Sequence, residues 1–583
     1  MGSLFGYSGP RDDALLERMD QVLRHRGRGV LRRLDDEHGA IGYRSRWEGG
    51  PAHLQSGGVA RDGSLQVAVA GWCTIVEGPR EIDATAESLL ALYRLFGAEM
   101  TSRLRGAFVL AVRDGATLHL VRDGAGVRTL FYGRHNGRLL FGVEAKAIRA
   151  APGFPRRLRA AALAEYLTFS FTPGAATMLE EVYELPAGHR LTCDGAGPPQ
   201  LVRYFRFEEV EQGEHDEDWY VERFREEHRR AVARRLPRGE PTAVFLSGGL
   251  DSSVVAADVA RLHDRRVHTF AIHFGPQYPH ELEFARSVAR RCRTQHTEVL
   301  IEPRDFLPRL RKMIWHLDDP IGDPITMPNF ELASQVAGDF RFAFNGEGGD
   351  PLFGGPKNVP MLMQHWYGGG THDPTFRERA YLASYRRGYE ELSRLLSADM
   401  ARRIDFAADL ESILTPFFRC ERPTGLLDKL SAINIRLKGA HLILPKVERM
   451  TGAWGLVPLA PLFDERLIEL SFAMPSRLKL LAGVEKIVMK RAYADQLPRE
   501  VLQRPKSGMR VPVHYWFQGE LRRYARKILD RRSVKQAGIF DADRVQQLLD
   551  YNIEEGPGRY GLRLWMLLTF EIWRRIVIEG EPV

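Results

Sequence analysis

The chain has 583 residues, too many for one hydrophobic core, so two or more domains are expected. Its 44% apolar and 27% charged residues, with a net charge of +8, fit an ordinary globular protein and exclude a fibrous or disordered one. Four scattered cysteines without a CxxC pair exclude a thiolate metal cluster and a disulfide framework, and a reducing cytoplasm fits.

The opening MGSLFGYSGP reads as a first strand, and residues 1–207 read as β-rich. The segment AFVLAVRDGATLHLVRDGAGVRTLFYGRHNGRLLFGVEAKAI alternates short apolar runs with RDG, DGAG and HNG, each supplying a residue suited to a tight hairpin. Asn136-Gly137 is the strongest of these turn signals. The acidic stretch EEVEQGEHDED, 208–218, reads as a linker. From 219 the period changes: Tyr220, Phe224, Ala231 and Leu236 fall near helical spacing. PTAVFLSGGLDSSVVAADVARLH then reads strand, glycine turn, helix. RRVHTFAIHF is a strand, FARSVARRC a helix, and FRFAFNGEGGD a strand running into a second glycine turn. This alternation predicts a parallel α/β sheet in a domain spanning 219–583, mostly helical beyond 356. No apolar run is long enough for a membrane span, and no RNP, zinc-finger or basic-zipper pattern points to nucleic acid.

The chemistry is expected at Ser247-Gly248-Gly249-Leu250-Asp251-Ser252-Ser253. Two glycines turn backbone N–H groups toward one point, the helix adds its positive end, and three hydroxyls add donors, which together suit a pyrophosphate. No GxxxxGK[ST] loop occurs, so the lysine that serves γ-phosphoryl transfer is missing and cleavage between the α- and β-phosphates is favoured.

SGGLDSS resembles the pyrophosphate motif of N-type ATP pyrophosphatases, and the second half resembles the synthetase domain of the asparagine synthetase and β-lactam synthetase family. Asn345-Gly346-Glu347-Gly348-Gly349-Asp350 with Leu352-Phe353-Gly354-Gly355 is similar to that family's SGEGADELFGG, and 461–480 and 483–516 are similar to its closing segments. LRGAFVLAVRD, RDGAGVRTLFY and FGVEAKAI resemble its glutaminase domain. The resemblance implies an N-terminal glutaminase-like αββα sandwich of the Ntn type and a C-terminal ATP-pyrophosphatase domain with a parallel sheet flanked by helices. It implies ATP contacts from Leu246, Ser247, Gly248, Gly249, Asp251, Ser252, Ser253, Gly346 and Lys506, and Mg²⁺ held by Asp251 and Asp350. Lys486 aligns with the lysine that stabilises charge at the acyl-adenylate, and Glu347 with a group that orients or deprotonates the attacking amine.

The departures from the family pattern are as informative. Active glutaminases begin MCGI, where this chain has Gly2. The oxyanion-hole asparagine is Ala70, and the aspartate that binds glutamine is Thr85. Cys73 lies within a predicted strand and cannot substitute for the nucleophile. A glutaminase fold without glutaminase activity is therefore expected. The β-lactam synthetase glutamate is Arg449, and the charged pair that receives free aspartate is Val457 and Leu459, an expected apolar wall for a larger substrate. Pro351 replaces a family glutamate. Among family branches the chain most resembles the macrolactam synthetases that close lasso peptides, with a peptide or small-molecule carboxylate as substrate and a leader peptidase or precursor-recognition protein as partner. Trp366, Tyr367 and Tyr385 are candidates for peptide contact or for ordinary packing. An ammonia-dependent amidotransferase, a small β-lactam-type cyclase and a non-catalytic ATP-binding scaffold are the other readings.

Overall fold

The computed structural model describes residues 2–47, 52–54, 57–78, 80–195, 197–355, 358–367, 375–385, 392–504, 508–551 and 560–583. Among them, thirteen strands precede residue 204: β1 (Ser3–Ser8), β2 (Leu31–Asp36), β3 (Gly39–Arg44), β4 (Gly58–Asp62), β5 (Leu65–Glu77), β6 (Arg80–Asp83), β7 (Leu104–Asp114), β8 (Thr117–Arg122), β9 (Phe131–His135), β10 (Arg138–Gly142), β11 (Val182–Glu184), β12 (His189–Asp194) and β13 (Gln200–Arg203). They form two antiparallel sheets, β11-β9-β10-β1-β3-β2 and β13-β12-β8-β7-β5-β4, with β6 paired to β5.

The side-chain period of two decides which layer each residue joins. Ala68, Ala70, Val109 and Ala111 share a core with Phe5, Tyr7 and Phe141 of the other sheet. Their neighbours Val67, Val69, Leu110 and Val112 pack under Leu89 and Leu92 of the helix Ala86–Phe96. On the opposite side the helix Asp13–Leu23 buries Leu15, Leu16, Met19 and Leu23. The result is the αββα sandwich expected. Asn136 and Gly137 take φ of 50° and 74° between β9 and β10, the pair of positive values a two-residue hairpin needs.

The second half is built on a parallel sheet of β14 (Thr242–Phe245), β15 (His268–His273), β16 (Gln295–Leu300), β17 (Phe342–Phe344) and β18 (Val457–Leu459), ordered β16-β15-β14-β17-β18. The chain runs outward from β14 to β16 and then returns to the other side of β14. Such a reversal opens a crevice at the carboxyl ends of the two adjacent strands, and both glycine turns follow those strands. A small hairpin, β19 (Leu480–Leu481) and β20 (Val484–Glu485), lies further along the chain. No helix among the described residues is long and apolar enough to cross a membrane.

The acidic segment 208–218 is not a free tether. Glu208 is buried with its carboxylate on Arg436 at 2.7 Å, and Gly213 N donates to the Ala473 carbonyl at 3.0 Å. Glu217 and Asp218 already form the first turn of the helix Glu217–Ala233, which Asp216 caps. Local acidity reads as solvation, but here it is matched by a buried arginine from 228 residues away.

Candidate active site

β14 runs into the first glycine turn, and the helix Leu250–Leu262 starts directly after it. Leu246, Ser247, Gly249, Asp251 and Ser252 line a cavity of about 380 Å³ at the crevice. Ser247 Oγ lies 3.1 Å from Ser252 Oγ and accepts from Gly249 N at 3.3 Å, which fixes the loop. Two of the expected contacts are placed elsewhere. Ser253 is fully buried and donates to the Gly249 carbonyl at 2.7 Å, so its hydroxyl closes the first helical turn instead of facing the cavity. Gly248, at φ 80°, lies outside the cavity lining. A Cβ there would stand 2.7 Å from Ala285 N, so this glycine permits close packing on the helix Leu282–Arg291.

The second turn presses against the first. A Cβ on Gly346 would meet Ser252 N at 2.4 Å, and one on Gly349 would meet Asp251 Oδ1 at 2.3 Å. The glycines therefore bring Asp251 and Asp350 to one point. Between them stands Lys486, its side chain 1% exposed, with Nζ 2.6 Å from both Asp251 oxygens and 2.5 Å from Asp350 Oδ1. Lys486 has φ 56°, a left-handed conformation that costs a non-glycine residue about 1–2 kcal/mol. The β19–β20 hairpin holds it there through Lys486 N donating to the Lys479 carbonyl at 2.6 Å. Lys486 Nζ fills the point on which the two carboxylates converge; with that ammonium turned to a phosphate the pair would suit Mg²⁺, which takes one or two carboxylates and completes its shell with phosphate and water. Among the described residues no group of three or more His, Cys, Asp or Glu side chains forms a metal site.

Lys506 lies outside the described residues. Arg504, two positions earlier, brings a cation beside the first turn: its guanidinium pairs with Glu281 at 2.9 Å and stands 3.8 Å from where a Cβ on Gly249 would be. Pro351 occupies the first turn of the short helix Gly349–Leu352, where its missing N–H breaks no helical bond. Glu347 lines the main cavity and a smaller adjoining one of about 100 Å³, and its N–H bonds Asn345 Oδ1 at 3.1 Å. Buried Lys446 pairs with Asp323 at 3.0 Å. Burial pushes its ammonium down, and the charges of Asp323 and Glu347 outweigh that and hold it above its ordinary value. Lys446 carries no local sequence signal and was not expected here.

One expectation about the acceptor side is corrected. Val457 and Leu459 form β18, 4% and 2% exposed in the core beneath the sheet, and line neither cavity. The Leu459 carbonyl instead accepts from Asn345 N at 3.0 Å and supports the second turn from behind. Arg449 does not face the site either. On the helix Leu444–Gly452 the i, i+4 pair Val447 and Thr451 lines the cavity, while Glu448 and Arg449 turn to the N-terminal half. There Arg449 donates to Thr129 Oγ1 at 3.2 Å, while its other nitrogen pairs with Asp318 of its own half at 3.3 Å. Trp366 is 70% exposed, the Tyr367 side chain lies outside the described residues, and Tyr385 packs edge-to-face on Phe169.

Glu448 joins the halves. Buried Arg26 and Arg128 of the sandwich both grip it, Arg26 Nη1 at 2.9 Å and Arg128 Nη1 at 2.8 Å. Arg128 also donates to the Gly2 carbonyl at 2.9 Å, and Arg46 to the Gly452 carbonyl at 2.6 Å. Gly2 is closely confined: a Cβ there would lie 2.1 Å from the Arg44 carbonyl oxygen. Ala70 points into the inter-sheet core. Thr85 caps the helix Ala86–Phe96 in a reciprocal box with Ser88. Cys73 is buried in β5, and burial pushes its thiol up.

A glycine-cradled pair of aspartates at a parallel-sheet crevice, beside an amidotransferase-like sandwich, is the arrangement of an ATP-dependent carbon–nitrogen ligase. Residues 223–575 match the asparagine synthase family and 81–205 a glutamine amidotransferase domain, and the chain belongs to the asparagine synthase family, whose members are ATP-dependent and amide-forming. It is 25% identical to asparagine synthetase [glutamine-hydrolyzing] 1 of Bacillus subtilis (strain 168), over 97% of this chain and 94% of that protein. It is 27% identical to a putative asparagine synthetase of Mycobacterium tuberculosis (strain ATCC 25618 / H37Rv), over 86% and 81%. It is 26% identical to the carboxyethyl-arginine beta-lactam-synthase of Streptomyces clavuligerus, over 82% and 77%.

Proposed function

We propose that this ligase adenylates a carboxylate with ATP, releases pyrophosphate, and joins the activated acyl group to an amine carried by the substrate itself, closing a macrolactam of the lasso-peptide kind. The carrying observation is the meeting of Asp251, Lys486 and Asp350 at the mouth of the first glycine turn. In this reading Ser247, Gly249 and Ser252 seat the phosphates. Lys486 faces the charge that builds as the carboxylate attacks the α-phosphorus. Mg²⁺, held by Asp251 and Asp350, would neutralise the phosphates and ease departure of pyrophosphate. Glu347, at the junction of the two cavities, orients the amine. A tethered amine removes much of the entropic cost of the second step.

Glutamine hydrolysis is no part of this reading. Gly2 carries no nucleophile, and the Arg44 carbonyl occupies the space a side chain would need. Gly2→Cys is therefore expected to release no glutamate from glutamine, and release above background would contradict it. ATP–pyrophosphate exchange tests the first step: exchange should depend on an added carboxylate peptide and vanish in Asp251→Asn. Exchange that survives this substitution would remove the aspartate from the site.

A further inference from the structure

The main cavity is the first of three in a row. The smaller cavity of about 100 Å³ shares Asp251, Gly346, Glu347 and Asp350 with it and forms a neck. Lys438 stands in the far wall of that neck and also borders an outer cavity of about 380 Å³. Both halves of the chain build the outer cavity: Leu167, Phe169 and Phe171 on one side, Met361, Leu442 and Met566 on the other.

Lys438 lies in a π-helical stretch, Asn434–Ile443, between the α-helices Leu426–Ile433 and Leu444–Gly452. Such stretches are uncommon, poorer in hydrogen-bond geometry than an α-helix, and concentrated at functional sites. The wider turn, with Leu444 N donating to the Gly439 carbonyl, places Lys438 and Asn434 together at the neck. Asn434 is fixed by its amide donating to Asn358 at 3.0 Å. Asp323, in the outer wall, is the partner of Lys446, so the charges of the outer cavity connect to Glu347.

The neck is about a quarter the volume of either cavity it adjoins. So small a connection suits a slender carboxylate side chain better than an aromatic ring or a peptide backbone. Lys438, with the Lys486 ammonium that pairs with Asp251 and Asp350, offsets the carboxylates lining the neck so that an anionic group can enter, and the outer walls favour an apolar body. We propose that the outer cavity seats an apolar peptide segment whose Asp or Glu side chain reaches the main cavity past Lys438. This rests on the adenylation reading and adds the seat of the substrate's body and the residue that admits its carboxylate.

The test uses the full chain and N-acetyl-photoleucine-glutamate-photoleucine amide. Irradiation should label the outer wall, at 167–171, 360–361, 384–385, 442 or 562–567, and Ser384→Trp, at a half-buried position in that wall, should reduce labelling about tenfold. In exchange assays with the leucine analogue of this peptide, Lys438→Met should raise the peptide KM about tenfold with the ATP KM unchanged, and Lys438→Arg should recover it. Labelling elsewhere, labelling undiminished in Ser384→Trp, or an unaltered peptide KM in Lys438→Met overturns the proposal. Labelling in the outer cavity without exchange supports the seat and strikes the adenylation reading instead.

Discussion

Lys486→Met is expected to slow ATP–pyrophosphate exchange about 10²–10³-fold, mainly in kcat, as losing one pre-organised charge-stabilising group at a water-poor site does elsewhere. The ammonium is buried and held at the crevice by a hairpin and a left-handed backbone, so only the end of the side chain has to turn from the two aspartates to face new negative charge. Methionine keeps most of the unbranched stem and removes the charge together with its contacts to Asp251 and Asp350. The ATP KM should change far less than kcat. A variant that loses only ATP affinity would make Lys486 a ground-state phosphate contact and would leave the developing charge without its stabiliser.

The second large effect falls on stability. Glu448→Gln leaves Arg26 and Arg128 buried and facing each other without their shared carboxylate, and breaking a buried ionic set in this way costs about 3–5 kcal/mol. The loss should appear in denaturant unfolding as a lower midpoint, because this carboxylate ties the sandwich to the synthetase half. The same group sets a pH dependence. Burial raises its pKa, but Arg26 and Arg128 outweigh burial and bring it from 4.5 to about 2. A carboxyl depressed in the folded state contributes stability that is fully present above about pH 4.5 and is lost as pH falls toward 2. The loss amounts to roughly 3 kcal/mol. Glu448→Gln should abolish this part of the acid sensitivity. A mutant as acid-sensitive as the parent, or one of unchanged midpoint, would contradict the role of the seam.

What the sequence made legible was local. Val244, Gly248 and Leu250 announce strand, turn and helix through apolar run, glycine and periodicity, and the structure has all three. Asn136-Gly137 and the short apolar runs of β7 and β8 are local in the same sense. The strands that escaped notice are those without such signals. β16 is the largely polar QHTEVL, and β18 is three residues centred on Pro458, tolerated because β18 is an edge strand.

The site divides along the same line. Asp251, Asp350 and Lys486 each lie in a motif, and the fold brings them together. Ser253 belongs to the same motif, but the helical turn carries its hydroxyl inward. Val457 and Leu459 align with pocket residues, yet a strand covered on both faces hides them both. Lys446 and Glu448 are charged residues beside a π-helix, and their positions depend on partners more than 70 residues away, which no local pattern encodes; Lys438 lies within that helix.

The central claim, activation of a carboxylate as its adenylate, is tested most directly by following oxygen from the substrate. With a peptide carboxylate labelled with oxygen-18, ATP and Mg²⁺, one labelled oxygen should appear in AMP, with unlabelled pyrophosphate released and no glutamate formed from added glutamine. Label in inorganic phosphate together with ADP would contradict the account, because it would move the cleavage to the γ-phosphate.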